Sequence, residues 1–224
     1  IVMTCIILIF VGGVNLKQFL LIGIIGAAGA LLVVSIMSRN YDYIQKRIQS
    51  WVDPFADSQG NTWQTCQSLI AIGSGGLFGL GLGESRQKYL YLPETKNDFV
   101  FSIVCEELGL VGALTVVLLF TLLVIRGFYI AMRAKDKFGM LMAIGLTSHI
   151  GLQAFFNIAV VSNLIPNTGI SLPFFSYGGT ALILQLAEMG IVLNISRVRY
   201  QSPQRVPAAE RAPQAEVQLQ GGNA

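Results

Sequence analysis

The stretch "FVFSIVCEELGLVGALTVVLLFTLLVI", Phe99 to Ile125, decides how this chain folds. It is apolar except for two adjacent glutamates, Glu106 and Glu107, and it is long enough for a membrane-crossing helix, which needs roughly 20 predominantly apolar residues. Directly before it stands a charged cluster with Glu94, Lys96 and Asp98. An ionised side chain deep in a span costs on the order of 3 kcal/mol on insertion scales, so each of these carboxylates needs a reason.

The composition agrees with a chain solvated by lipid over most of its surface. Only 12% of the 224 residues are charged and 53% are hydrophobic, whereas a soluble domain carries about 25% charged residues. Mean hydropathy is +0.62. The net charge of +3 is scattered and shows no basic–aromatic stripe, so no nucleic-acid partner is expected. Cys5, Cys66 and Cys105 are far apart and two of them lie in apolar runs, so neither a disulfide framework nor a zinc site is expected. Ile1 already sits in an apolar run with no charged region before it, unlike a signal peptide. The chain reads as the C-terminal part of a longer membrane protein and is expected to be inactive alone.

Working outward from Phe99, the chain divides into four segments. Residues 1–38 hold two spans, the first incomplete (1–11) and the second uncharged over 18–38; 21 helical residues reach about 31 Å. Residues 39–98 form a large polar segment. Residues 99–196 hold three spans, over 99–125, 139–165 and 173–196. Residues 197–224 form a Pro-, Gln- and Ala-containing tail without periodicity, expected to be disordered. The fold class is an all-α integral membrane helix bundle: backbone groups in lipid must be satisfied internally, and the alternating pattern of barrel strands is absent. Lys17, the loop with Arg126, Arg133, Lys135 and Lys137, and Arg197 with Arg199 fall on one side, while the short loop 166–173 has no basic residue. That side is the cytoplasm, which puts the C-terminus inside and residues 39–98 outside. In that outer segment "YIQKRIQSW" places Ile44, Ile48 and Trp51 on one face of an interfacial helix. The glycine run from Gly73 to Gly83 lacks the ending of a phosphate-binding loop and reads as flexible or tightly packed backbone.

Several residues are candidates for chemistry. Asp98, at the outer mouth of a span, is expected to have a raised pKa and be a better base unless Lys96 offsets the effect. The same spacing fits a helix N-cap made by Asn97 or Asp98. Glu106 lies about 12 Å further along the helix, and Glu107 is turned about 100° from it. Each faces a cavity or locks helices together. His149, Gln153, Phe156 and Asn157 form one stripe, read with Gln185 and Glu188 as interhelical hydrogen bonding. The stretch from Asn163 to Ala181 reads as a broken or re-entrant entry into the last helix, an arrangement that also builds transport sites. Arg86, Lys88 and Lys96 make a positive patch near Asp98 that suits a lipid-linked phosphate or pyrophosphate, or simply anionic headgroups.

These motifs carry a resemblance. "QSLIAIGSGGLFGLGLGESRQKYLYLPETKNDFVFSIVCEELGLVG" and "NIAVVSNLIPNTGISLPFFSYGGTALILQLAEMGIVLNISR" resemble the C-terminal half of the SEDS family, the FtsW/RodA/SpoVE proteins of bacterial cell-wall synthesis. The likeness runs from about Asp53 to Arg197 through the YLPE-x-x-x-DF block, the EELG pair and the LPFFSYGG turn. The ending "NISR" is closer to the division and sporulation branch. The resemblance implies a ten-helix, multi-pass glycosyltransferase of the bacterial plasma membrane that polymerises lipid II beside a class B penicillin-binding protein and other divisome proteins. The family's essential aspartate falls on Asp98, as general base for the 4-hydroxyl of the acceptor. Arg86, Lys88 and Lys96 are then candidates to hold the undecaprenyl pyrophosphate, alone or through a divalent cation (Mg or Mn) whose protein ligands the resemblance leaves unknown. Glu94, Glu106, Glu107 and Ser176, in the matching blocks, are further substrate-binding candidates. The chain departs from the family pattern at Lys96–Asn97, where a histidine-containing pair is more usual. A lipid II flippase, a non-catalytic scaffold for the penicillin-binding protein, and an ion-coupled transporter working through Glu106, Glu107 and Glu188 are the other readings.

Overall fold

A computed structural model describes residues 2–13, 48–56, 62–87 and 97–198, with scattered positions between 17 and 29. The described residues contain five labelled helices and no strand: α1 (Val2–Val11), α2 (Trp63–Ser74), α3 (Val100–Met132), α4 (Lys137–Val161) and α5 (Gly179–Val198). Of these, α3, α4 and α5 are long and apolar enough to cross a membrane. Most of the span expected over 18–38, much of the polar segment 39–98, and the tail beyond Val198 lie outside the described residues.

The centre of the bundle is α3 against α4. A short turn joins them antiparallel, and Asp136 caps α4 by accepting from the Gly139 amide at 2.9 Å. Phe101, Val116 and Phe120 of α3 bury against Ile150, Ala154 and Val161 of α4, with Leu172 from the following connection. Beyond the turn, α1 and α5 flank α4. Most of the apolar surface of α5 stays uncovered, including Ile183, Leu184 and Leu193. Near the other end, the Trp51 indole donates to the Asn163 carbonyl and the Asn163 amide donates to the Trp51 carbonyl, both at 3.1 Å, so the helical stretch around Trp51 is tied to the end of α4. Ile44, which the sequence placed on the same face, lies outside the described residues.

One feature of α3 was not expected from its uninterrupted hydropathy. At Gly109 the backbone leaves the helix (φ 67°, ψ −162°). The Glu106 and Glu107 carbonyls then lose their donors four residues on, and the Leu110 and Val111 amides lose their acceptors. The glycine run after α2 supplies both sides of the gap. Leu80 and Gly81 donate to the Glu106 and Glu107 carbonyls at 3.0 Å each, while Leu110 and Val111 donate to Gly76 and Leu77 at 2.9 and 3.2 Å. No side chain takes part. The approach is so close that a Cβ on Gly79 would collide with the Glu107 carbonyl, and one on Gly109 with the Gly79 nitrogen and the Leu77 carbonyl. The glycine run is tightly packed backbone seated in a broken helix.

Candidate functional site

The start of α3, the end of α4 and the start of α5 meet at the end of the bundle opposite the Arg126–Lys137 turn. Phe99, and not Asn97 or Asp98, is the N-cap residue of α3, and its own side chain makes no capping bond. Asp98 stands one residue outside the helix. It is half-buried and lines a pocket of about 240 Å³ with Gly169, Ser171, Ser176 and Tyr177 of the α4–α5 connection and with Ala181 and Gln185 of α5.

Side chains hold the main chain around this pocket. Asn157 of α4 is fully buried, and its amide donates to the carbonyls of Asp98 and Ile170, both at 2.7 Å. One residue thus ties the chain entering α3 to the chain leaving α4. The Ser176 hydroxyl donates to the Asn97 carbonyl at 2.6 Å and accepts from the Leu172 amide at 2.7 Å. Gln153 donates to the Ser171 carbonyl at 3.1 Å. Gln185 accepts from the Phe174 amide at 2.9 Å. Phe174 has φ 65°, a conformation that costs a bulky residue about 1–3 kcal/mol and persists only where its surroundings enforce it.

Below the pocket, the stripe on α4 continues to His149, whose Nδ1 lies 3.1 Å from the Glu188 carboxylate of α5. His149, Gln153, Phe156 and Glu188 line a second cavity of about 520 Å³, which shares Ala181 and Gln185 with the Asp98 pocket. The two spaces adjoin along α5.

The remaining predicted residues fall elsewhere. Lys88, Glu94 and Lys96 lie outside the described residues. Ser176 reaches the Asp98 pocket, but its proton is committed to Asn97. Glu106 and Glu107 do not line that pocket. Glu106 is buried and accepts from the Ser85 hydroxyl and from the Arg86 and Gln87 amides, while Glu107 is half-buried and Arg86 is exposed. No group of three His, Cys, Asp or Glu side chains gathers among the described residues, and Asp98 is the one carboxylate on its pocket wall, so the described residues do not by themselves fit a resident divalent cation. Burial pushes the Cys66 thiol of α2 above its ordinary pKa, which suits packing and not nucleophilic work. Asn157 and Gln185 were read as links between helices. Their partners are instead the main chain of the site, and an asparagine or glutamine on an apolar stripe looks the same in either role.

Residues 1–201 match the family described as "Cell cycle protein", FtsW/RodA/SpoVE. The chain is 48% identical over 194 residues to "Stage V sporulation protein E" of Bacillus subtilis (strain 168), covering 87% of this chain and 52% of that protein. It is 47% identical over 198 residues to "Probable peptidoglycan glycosyltransferase FtsW" of the same organism, covering 86% and 49%. Among solved structures, it is similar to a chain from "Structural coordination of polymerization and crosslinking by a peptidoglycan synthase complex", with a TM-score of 0.65 and 33% identity over 87% of this chain and 53% of that one. The chain spans about half the length of the curated relatives it matches.

Proposed function

Because the chain belongs to the FtsW/RodA/SpoVE family of cell cycle proteins, we propose that it works in a membrane glycosyltransferase that polymerises lipid II into glycan strands during division or sporulation. The observation that carries this reading is the Asp98 pocket: a half-buried carboxylate outside the helix cap, with its own main chain clamped by Asn157. A base must be held within hydrogen-bond reach of the proton it removes, and geometry comes before pKa in that requirement.

In this reading the growing strand is the donor, joined through its anomeric carbon to undecaprenyl pyrophosphate. Asp98 takes the proton of the acceptor's GlcNAc 4-hydroxyl as that oxygen attacks the anomeric carbon. The bond to pyrophosphate breaks with its electron pair, and the α-linked donor becomes a β-1,4 bond in one inverting displacement. Arg86, with Lys88 and Lys96, is proposed to meet the leaving pyrophosphate, since charge-assisted bonds to phosphate oxygens are among the stronger ones available. The cationic end with Arg126, Arg133, Lys135, Lys137 and Arg197 is assigned to the cytoplasm, which puts Asp98 on the outer face. A class B penicillin-binding protein is the proposed partner, supported by the similarity to a chain of a synthase complex that joins polymerisation to cross-linking.

The cavity of about 520 Å³ beside the Asp98 pocket favours a second reading, a lipid II flippase that carries its cargo along α5. Glycan polymerisation from labelled lipid II, by the full-length protein with its partner, separates the two. Asp98→Asn keeps the size of the side chain and cannot act as a base, so polymer formation is expected to fall by about 10² to 10⁴-fold with folding and partner binding intact. Undiminished polymer would remove Asp98 as the base and leave transport or scaffolding.

A further inference from the structure

Glu106 is 1% exposed, and the Asp98 pocket does not use it. Among the described residues, its side-chain bonds run to one short segment beyond the glycine run. Oε2 accepts from the Ser85 hydroxyl, and Oε1 accepts from the Arg86 and Gln87 amides at 3.1 and 3.4 Å. Ser85 and Gln87 are themselves buried, 3% and 9% exposed, while Arg86 between them is exposed. The main chain of Glu106 grips the same strip of sequence a second time, through its carbonyl and the Leu80 amide at 3.0 Å. One residue therefore fixes the chain at position 80 and again at 85–87, and the exposed residue between the two buried feet carries a guanidinium.

We propose that Glu106 is a positioning residue that sets the backbone at Arg86, and so the place from which this cation meets the lipid-linked pyrophosphate. The inference rests on the glycosyltransferase reading above. In it the Glu106 carboxylate is an acceptor for its own protein and does not touch substrate. That makes a sharp distinction chemically. A glutamine at this position keeps the arrangement, because its Oε1 accepts from both amides and its Nε2 donates to the Ser85 oxygen. An alanine takes the carboxylate acceptor away from three donors at once, the Ser85 hydroxyl and the Arg86 and Gln87 amides.

The test uses the full-length protein with its cross-linking partner in lipid nanodiscs. It compares wild type, Glu106→Gln, Glu106→Ala and Asp98→Asn by steady-state polymerisation of lipid II and by amide hydrogen exchange over residues 80–87. Glu106→Ala is expected to lower kcat/KM about tenfold to a hundredfold, the scale of an ångström-sized misplacement, and to speed exchange at Arg86 and Gln87. Glu106→Gln is expected to stay within about threefold of wild type and to keep the protection, since it keeps both amide hydrogen bonds and still bonds Ser85, with the direction of that one bond reversed. Should Glu106→Ala fail to fold, Ser85→Ala removes a single donor and is expected to give a smaller change of the same kind in both readouts. The proposal is overturned if Glu106→Gln is as impaired as Glu106→Ala while protection is intact, because the carboxylate would then be taking part in the chemistry. It is equally overturned if protection at 85–87 is lost with no kinetic effect. The exchange measurement decides the hold on this segment whatever Asp98→Asn shows, so a failure of the base assignment remains distinguishable.

Discussion

At Gly109 the chain mends a broken helix with main chain alone, whereas between Val161 and Gly179 it holds an irregular stretch with side chains. In the first place four amides and four carbonyls interlock, and the requirement on sequence is the absence of a Cβ. In the second, Asn157, Gln153, Ser176 and Gln185 each take one or two main-chain groups. A lock made of backbone is close to all-or-none at its contact points, because a Cβ at Gly75, Gly79 or Gly109 collides with the facing main chain. A lock made of side chains is graded, because its members can be lost one at a time. Asp98 is set in the graded one.

The largest effect should come from the backbone lock. Gly109→Ala combines a left-handed φ with a collision against Gly79 and Leu77, and is expected to cost more than about 3 kcal/mol and to abolish recovery of folded protein. A thermal transition in detergent within a few degrees of wild type would break the contrast. Asn157→Ala should come next, leaving the part-buried carbonyls of Asp98 and Ile170 without this donor; polymerisation is expected to drop about tenfold to a hundredfold while the protein still folds. Loss of folding would mean that this clamp too is all-or-none. Ser176→Ala should be the mildest, at about 1 kcal/mol of stability and a severalfold loss of polymer, because it removes one hydroxyl from a turn with other ties. Measured side by side, equal losses for Ser176→Ala and Asn157→Ala would contradict the graded picture.

The three long spans were legible because length and hydropathy are local properties. The residues expected over 99–125, 139–165 and 173–196 became α3, α4 and α5, with ends displaced for identifiable reasons. α3 continues past Ile125 to Met132, where the guanidinium groups of Arg126 and Arg133 lie 5.1 and 4.1 Å from the Tyr129 ring centroid. α5 starts at Gly179 and not at Pro173, because the intervening turn includes Phe174 at positive φ. Asp98 stood out through its motif and its place before a span. The break at Gly109 could not be read, since it depends on where a segment some thirty residues earlier returns to the helix. The glycines that permit it carry no hint of their partner. The same holds for Glu106, whose partners follow that glycine run. Family resemblance marked the EELG pair without saying what it grips.

The spacing of charge along α3 has one more consequence. Between Glu107 and Arg126 lie only uncharged residues, Leu108 to Ile125, with a helical length of roughly 27 Å, against a hydrocarbon core of about 30 Å. The helix thus carries a gauge of the bilayer in its own sequence, with carboxylates at one mark and a guanidinium at the other. With Arg126 at one face of such a core, Glu106 would stand at the edge of the oil and not in its middle, which would relieve much of the insertion penalty that made it conspicuous. A membrane several ångströms thicker would pull that edge over the glutamates, and a thinner one would strand leucines in the headgroups. The acyl-chain length of the surrounding lipid is therefore a variable expected to act on this bundle.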